Sequence, residues 1–237
     1  VIRAAAGLGR LSGEDDPDLY DKGFLHCDVL VVGAGAAGLS AALSAGRAGA
    51  RVIVMDEDFC IGGRLNVETL SVDDQSGSEW AAQALAELST MENVRLMTRT
   101  TAYGAYDHGI VGALERVTDH LISGENKPRQ ILWRVYTKRT ILCAGATERP
   151  IAFGNNDRPG VMLAGAVRAY VNRWGALPGK RVAVFTNNDD GWRTATDLAS
   201  KGVEITAVID SRDGQPPVNV PKGAAIVMGG RIVDTQG

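Results

Sequence analysis

CDVLVVGAGAAGLSAALSAG, residues 27–46, is the stretch on which the reading of this chain turns. Cys27 to Val32 is a continuous apolar run, as a strand buried on both faces of a parallel sheet requires. Gly33-Ala34-Gly35-Ala36-Ala37-Gly38 then spells GxGxxG, and the alanine-rich stretch Ala36 to Ala48 predicts a helix before a second strand, Arg51 to Met55. Hydropathy alone would suggest a membrane span at 29–46. The run is mostly Gly, Ala and Ser between Asp28 and Arg47, and it falls short of the roughly 20 strongly apolar residues a span needs.

Each glycine has a distinct expected task. Gly33 permits the tight turn, Gly35 lets a pyrophosphate approach the backbone, and Gly38 lets helix and strand pack closely. The phosphates would sit on free N–H groups at the positive end of the helix. Asp56 closes the second strand where a carboxylate takes the adenosine ribose hydroxyls, and an acid there disfavours a 2′-phosphate, so NAD or FAD is expected rather than NADP. Gly62-Gly63-Arg64 follows. It reads either as a loop passing close to the nucleotide, with Arg64 reaching a phosphate or a carboxylate, or as a flexible loop with a solvated arginine.

The bulk composition narrows the alternatives. At 237 residues, 45% hydrophobic and 22% charged, the chain has room for one large α/β domain or two small ones. A net charge of −3 gives no reason to expect nucleic acid. Cys27, Cys60 and Cys143 are isolated, without CxxC or metal-type spacing, and read as three partly buried thiols in a reducing cytoplasm. His26, His108 and His120 are scattered, and neither HExxH nor GxSxG occurs, so no catalytic residue and no metal ligand is assigned. The opening residues lack a signal-peptide h-region. The chain opens on Val1 without a Met and closes on GGRIVDTQG, which looks like a sheet segment in mid-course. Both ends read as cuts.

Residues 1–26 read as a connector, 27–150 as a dinucleotide-binding domain, and 151–237 as a second unit truncated at its end. Within the first domain a helix is expected over Ser78 to Met91 and a strand over Val94 to Met97. An antiparallel excursion is expected over Tyr103 to Tyr136, interrupted by SGENKPRQ, before a buried strand at Thr140 to Ala144. Asn155-Asn156-Asp157-Arg158-Pro159-Gly160 suits either a turn between domains or, through Asn155 and Arg158, a cofactor or subunit interface. Val161 to Trp174 predicts an amphipathic helix.

VAVFTNNDDGW, residues 182–192, repeats the first unit's scaffold without its site. A strand at 182–185 and a helix at 192–200 flank a turn in which Thr186, Asn188 and Gly191 stand against Gly33, Gly35 and Gly38, and Asp210 matches Asp56. The packing glycine and the strand-end acid survive, while both phosphate-side glycines are gone. Asp189 and Asp190 are expected to cap the helix N–H groups themselves, with no basic residue in the turn to offset their charge. One dinucleotide, not two, is expected.

CDVLVVGAGAAGLSAAL (27–43), DEDFCIGGRL (56–65), AGATERPIAFGNNDRPGVMLAGAVRAY (144–170) and PGKRVAVFTNND (178–189) together resemble the alpha subunit of heterotetrameric sarcosine oxidase over nearly the whole chain. The resemblance implies a Rossmann-like FAD/NAD(P)-binding fold of the pyridine-nucleotide oxidoreductase type, with a degenerate second nucleotide unit inserted. It implies a complex with beta, gamma and delta subunits that demethylates sarcosine to glycine with hydrogen peroxide formation. Flavins would lie at or near beta, and tetrahydrofolate would take the one-carbon unit on a further alpha domain. For this chain it implies NAD at Gly33, Gly35, Gly38 and Asp56, and more loosely at Glu57, Gly63 and Arg64. Ala36, Ala37 and Gly145 complete the candidate cofactor-binding set. Family members usually carry Pro where this chain has Ala36, a change that leaves phosphate contact intact. Two other readings stand beside it: an FAD-binding subunit of an amine or proline dehydrogenase, and a non-redox scaffold for partner subunits.

Overall fold

The computed structural model describes residues 5, 7, 13–122, 126–217 and 219–236. Its first sheet has six strands. We label them β1 (Tyr20–Val32), β2 (Val52–Met55), β3 (Val94–Met97), β4 (Thr100–Tyr106), β5 (Ile110–Arg116) and β6 (Gln130–Leu142), in the spatial order β3-β2-β1-β6-β5-β4. The β3, β2, β1 and β6 strands run parallel, whereas β6, β5 and β4 form an antiparallel meander, so the sheet is mixed. Helices α1 (Ala36–Arg47) and α2 (Gly77–Ser89) cover one face, where Val31, Leu39, Leu43, Val54 and Leu88 are buried together. The other face buries Leu30, Ile53, Met55, Val111 and Val135, the last two from the meander. This two-sided burial is why the apolar runs at β1 and β2 do not alternate.

A second, all-parallel sheet of order β9-β8-β7 is built from β7 (Arg181–Thr186), β8 (Glu204–Asp210) and β9 (Ala225–Met228). Its core gathers Val184, Trp192, Leu198, Ile205 and Val208 with Val167 and Val171. Val184, Ile205 and Val208 come from the strands, Val167 and Val171 from helix α3 (Ala164–Arg168) and the π-helical turn Ala169–Arg173 into which it runs, and Trp192 and Leu198 from helix α4 (Asp189–Ser200).

Several boundaries differ from the sequence reading, each for a local reason. The first strand starts at Tyr20 rather than Cys27, because residues 20–27 pair with 130–137 in a long two-stranded extension of the sheet. Residues 20–26 of the expected connector are therefore strand, while 1–4, 6 and 8–12 lie outside the described residues, as do 123–125 of SGENKPRQ. Thr140 to Leu142 is the tail of β6, not a separate buried strand. Beyond Tyr136 its neighbour β5 has ended, and Leu142 is 75% exposed. The helix expected from Val161 begins at Ala164, after an extended Leu163. The stretch GGRIVDTQG differs too: its described residues 229–236 form no strand. The sheet segment is Ala225–Met228 before it, and Asp234 makes one isolated bridge to Gly154. Of the cysteines, Cys27 is buried but Cys60 is exposed.

Candidate functional site

At the carboxyl end of β1 the neighbours diverge: β2 lies on one side and the returning β6 on the other. An open α/β sheet leaves a crevice at such a place. The glycine turn sits there, and its three glycines owe their presence to different causes. Gly33 has φ +97°, and a Cβ on it would stand 2.3 Å from the Cys143 carbonyl oxygen at the end of β6. Gly38 has no such conformational need, but a Cβ would stand 1.8 Å from the Gly33 carbonyl oxygen, so α1 packs directly on the turn. Gly35 needs neither. Its φ is −75°, and among the described residues no atom lies within 4 Å of a Cβ built on it. Neither conformation nor contact among the described residues requires glycine at 35.

Gly35 is also the N-cap of α1, and no side chain there accepts a hydrogen bond from the first turn. That is the arrangement in which helix N–H groups remain available to an anion. Ala36 and Ala37 are exposed on this turn. Asp56 lies beneath it, with Oδ2 accepting from the Ala34 N–H at 2.6 Å and Oδ1 from the Asp58 N–H at 2.8 Å. Each carboxylate oxygen retains a second lone pair that a ribose hydroxyl can use. Gly63 backs onto Gly35, where a Cβ on Gly63 would reach the Gly35 Cα at 3.1 Å, and the Gly62 N–H donates to the Ala34 carbonyl at 2.9 Å. Gly145, φ +70°, is exposed on the β6 side with no atom within 4 Å of an added Cβ among the described residues. The structure thus brings Gly33 to Gly38, Asp56 and Gly63 into contact at the carboxyl end of β1, with Gly145 two residues beyond the Cys143 carbonyl that abuts Gly33.

Arg64 points elsewhere. Its Nη2 donates to both carboxylate oxygens of Asp190 at 3.0 Å, and its Nε pairs with Glu68 at 2.5 Å, so of the two partners read for it, the carboxylate is the one it meets. Glu57 is exposed and lines a shallow concavity of about 400 Å³ with Asp58, Thr101 and Arg116. Arg116 donates from Nη2 to the Glu57 carbonyl at 2.6 Å, while its buried Nε has no partner among the described residues. Sequence reading missed Asp58, Thr101 and Arg116: none belongs to a motif, and β4 and β5 reach the end of β2 only once the sheet has formed, where the Thr100 N–H donates to the Asp56 carbonyl at 2.8 Å. Asp58 is clasped by Arg173 at 2.6 and 3.0 Å, and that hydrogen bonding holds its carboxyl below the usual range.

The turn of the second sheet is closed by side chains, though not those expected. Asn188, not Asp189 or Asp190, is the N-cap of α4, and its side chain accepts from the Asp190 N–H at 2.9 Å. Thr186 Oγ1 takes the Asn188 N–H at 3.1 Å, and a Cβ on Gly191 would fall 2.3 Å from that same oxygen. Nor are the two aspartates left without basic partners. Arg64 and Arg168 reach Asp190, and Arg212 reaches Asp189 at 2.8 Å, all three from outside the turn, while Arg193 on α4 itself stands 3.8 Å from Asp190. Asp210, fully buried, accepts from Trp192 Nε1 at 2.7 Å and from Arg212, which holds its pKa down at about 2. Asn155, φ +56°, donates to Asp234 at 2.6 Å, as a structural turn residue does.

The family described as FAD dependent oxidoreductase matches residues 28–131. The sarcosine oxidase subunit alpha of Rhizobium meliloti (strain 1021) is 50% identical over 90% of this chain, and that of Corynebacterium sp. (strain P-1) is 42% identical over 97%. Over most of its length the chain is similar in sequence to sarcosine oxidase alpha subunits. It spans about a quarter of the length of these alpha subunits, 22% and 24% respectively. Among solved structures, the L-proline dehydrogenase of P. horikoshii superposes with a TM-score of 0.62 at 20% identity, covering 92% of this chain and 44% of that one. At that identity the likeness concerns the fold. The chain therefore has the Rossmann-like α/β fold of an FAD-dependent oxidoreductase domain, and a flavin or nucleotide cofactor is the class of ligand that fits it. Among the described residues no helix is long and apolar enough to cross a membrane.

Proposed function

We propose that this chain is the dinucleotide-binding region of the alpha subunit of a sarcosine-oxidising complex and that it holds NAD. The observation that carries the reading is Gly35, a glycine that neither backbone conformation nor protein packing demands, on an uncapped helix N-terminus. In this reading the N–H groups following Gly35 hold the diphosphate, with Gly33 and Gly38 shaping the turn and Gly63 keeping the opposite wall thin. Asp56 receives the ribose hydroxyls, and Glu57 with the concavity beside Arg116 flanks the adenosine end. Gly145 leaves room on the β6 side. A bound nicotinamide dinucleotide supplies hydride transfer, whereas this chain's residues bind and orient it. No residue of this chain is assigned to the amine chemistry, which is left to a partner subunit.

The complex would contain beta, gamma and delta subunits, act in the cytoplasm, convert sarcosine to glycine with hydrogen peroxide formation, and pass its one-carbon unit to tetrahydrofolate on a further alpha domain. Residues 27–150 would form the binding domain, and 151–237 a degenerate second unit whose Thr186, Asn188 and Asp210 are consumed by contacts within the protein. A second reading, FAD in the same crevice, is favoured by the match to an FAD dependent oxidoreductase family over 28–131. Identifying the nucleotide released on denaturing the purified complex, together with its binding to a Gly35→Ser variant, separates these readings. NAD lost with that substitution supports the first and FAD lost with it the second. Loss of neither removes both and leaves a scaffold for partner subunits.

A further inference from the structure

The segment from Asp58 to Thr69 lies between the two sheets' sites. One side presses Gly63 toward Gly35; the other is fastened at four points to helices of the second sheet. Asp58 is gripped by Arg173 at 2.6 Å and Arg64 by Asp190 at 3.0 Å. The Val67 carbonyl accepts from Asn172 at 2.9 Å, and Thr69 donates to Asp197 at 2.8 Å. Asp190 is itself braced. Arg168, 2% exposed, donates from Nη1 to Asp190 at 2.9 Å and from Nε to Asp197 at 3.1 Å. An isolated surface ion pair fixes little, but a carboxylate shared between a loop arginine and a buried, doubly anchored one belongs to a network. The loop it meets needs fixing, since Gly62 and Gly63 adopt φ of +128° and +52° and glycines lose the most freedom on ordering.

We propose that Asp190 is a positioning residue for the nucleotide site of the first sheet. It holds Arg64, and through it Gly63, against the Gly35 turn, so the second unit sets the affinity of a site it does not touch. This explains what the nucleotide-shaped turn at 186–191 does: its helix N-terminus presents a carboxylate to the neighbouring unit's loop. The inference rests on the nucleotide reading above. It also predicts a sign. If Arg64 instead contacted phosphate directly, Asp190 would compete for it, and removing the Asp190 charge would tighten binding.

The test uses the intact alpha subunit in its complex, titrated with NAD and with FAD by calorimetry. Asp190→Asn and Arg64→Gln should each weaken the bound nucleotide by about tenfold, and the double variant should be no weaker than either single one, as expected for two residues acting as one contact. Trp192→Phe, which loosens the second sheet's core without touching residues 58–69, should leave affinity within about twofold, as independent sites do. Unchanged or tighter binding in Asp190→Asn, additive losses in the double variant, or an equal loss in Trp192→Phe would overturn the proposal. Should Asp190→Asn not fold, Asp190→Glu keeps the charge for Arg168 while pushing Arg64 outward by one methylene. Weaker binding supports the proposal and unchanged binding overturns it. Gly35→Ser is measured alongside. If it abolishes binding while Asp190 substitutions do not, positioning alone fails; if it has no effect, the site reading fails first.

Discussion

Replacing Gly35 by serine should separate binding from folding. The backbone there, φ −75° and ψ −170°, is already that of an N-cap, and nothing described lies within 4 Å of the new Cβ. Serine is a somewhat better N-cap than glycine, so folding stability should stay level or rise by a few tenths of a kcal/mol. Its hydroxyl would accept from the Ala37 or Gly38 N–H, the groups a diphosphate would use, and its Cβ would occupy the approach path. Losing two hydrogen bonds to a charged ligand, at about 1.5–3 kcal/mol each, amounts to about 3 kcal/mol or more. At 1.4 kcal/mol per decade that is roughly a hundredfold weaker binding. Thermal or urea unfolding monitored by tryptophan fluorescence gives the stability, and calorimetric titration with NAD and with FAD gives the affinity. A variant destabilised by more than about 1 kcal/mol would show that the fold needs Gly35 after all. A stable variant that binds as the parent does would refute the placement of the diphosphate.

The other glycines and the ion network give contrasting outcomes. Gly38→Ala should cost about 2–3 kcal/mol in unfolding free energy, since its Cβ would stand 1.8 Å from a backbone oxygen that cannot step aside; an unperturbed unfolding curve would contradict this packing. Arg168→Met strips Asp190 and Asp197 of a shared buried partner and should destabilise the protein by about 3 kcal/mol, read from the urea midpoint, with the Asp197→Asn background recovering part of the loss. Asp210, with its pKa lowered from 3.8 to about 2, binds its proton more readily in the unfolded chain. The stability it confers is complete above about pH 4 and disappears as pH falls through about 2. Asp210→Asn should flatten that part of the stability–pH profile, and an unchanged slope between pH 4 and 2 would exclude Asp210 as its source.

How much of this was legible beforehand follows the range of the forces involved. The strand–turn–helix at 27–48, the acid at Asp56 and the packing glycines at 38 and 191 were readable because each depends on neighbours a few residues away: strand apolarity, turn conformation, and helix against its own turn. The resemblance carried by 144–170 and 178–189 likewise needed only sequence. Local sequence could not show that β1 reaches back to Tyr20, because those residues are strand only by virtue of pairing with 130–137, more than a hundred positions later. Nor could it show that Arg64, set beside a glycine loop, turns to Asp190, or that Arg168, Arg173 and Arg212 answer carboxylates distant in sequence. Charges pair through space, and which arginine reaches which aspartate is fixed only once the two sheets are packed. The sequence by itself determined a strand, glycine turn and helix and the resemblance to sarcosine oxidase alpha subunits. The tertiary structure decided which of its glycines the fold itself requires and what became of the second turn's negative charge.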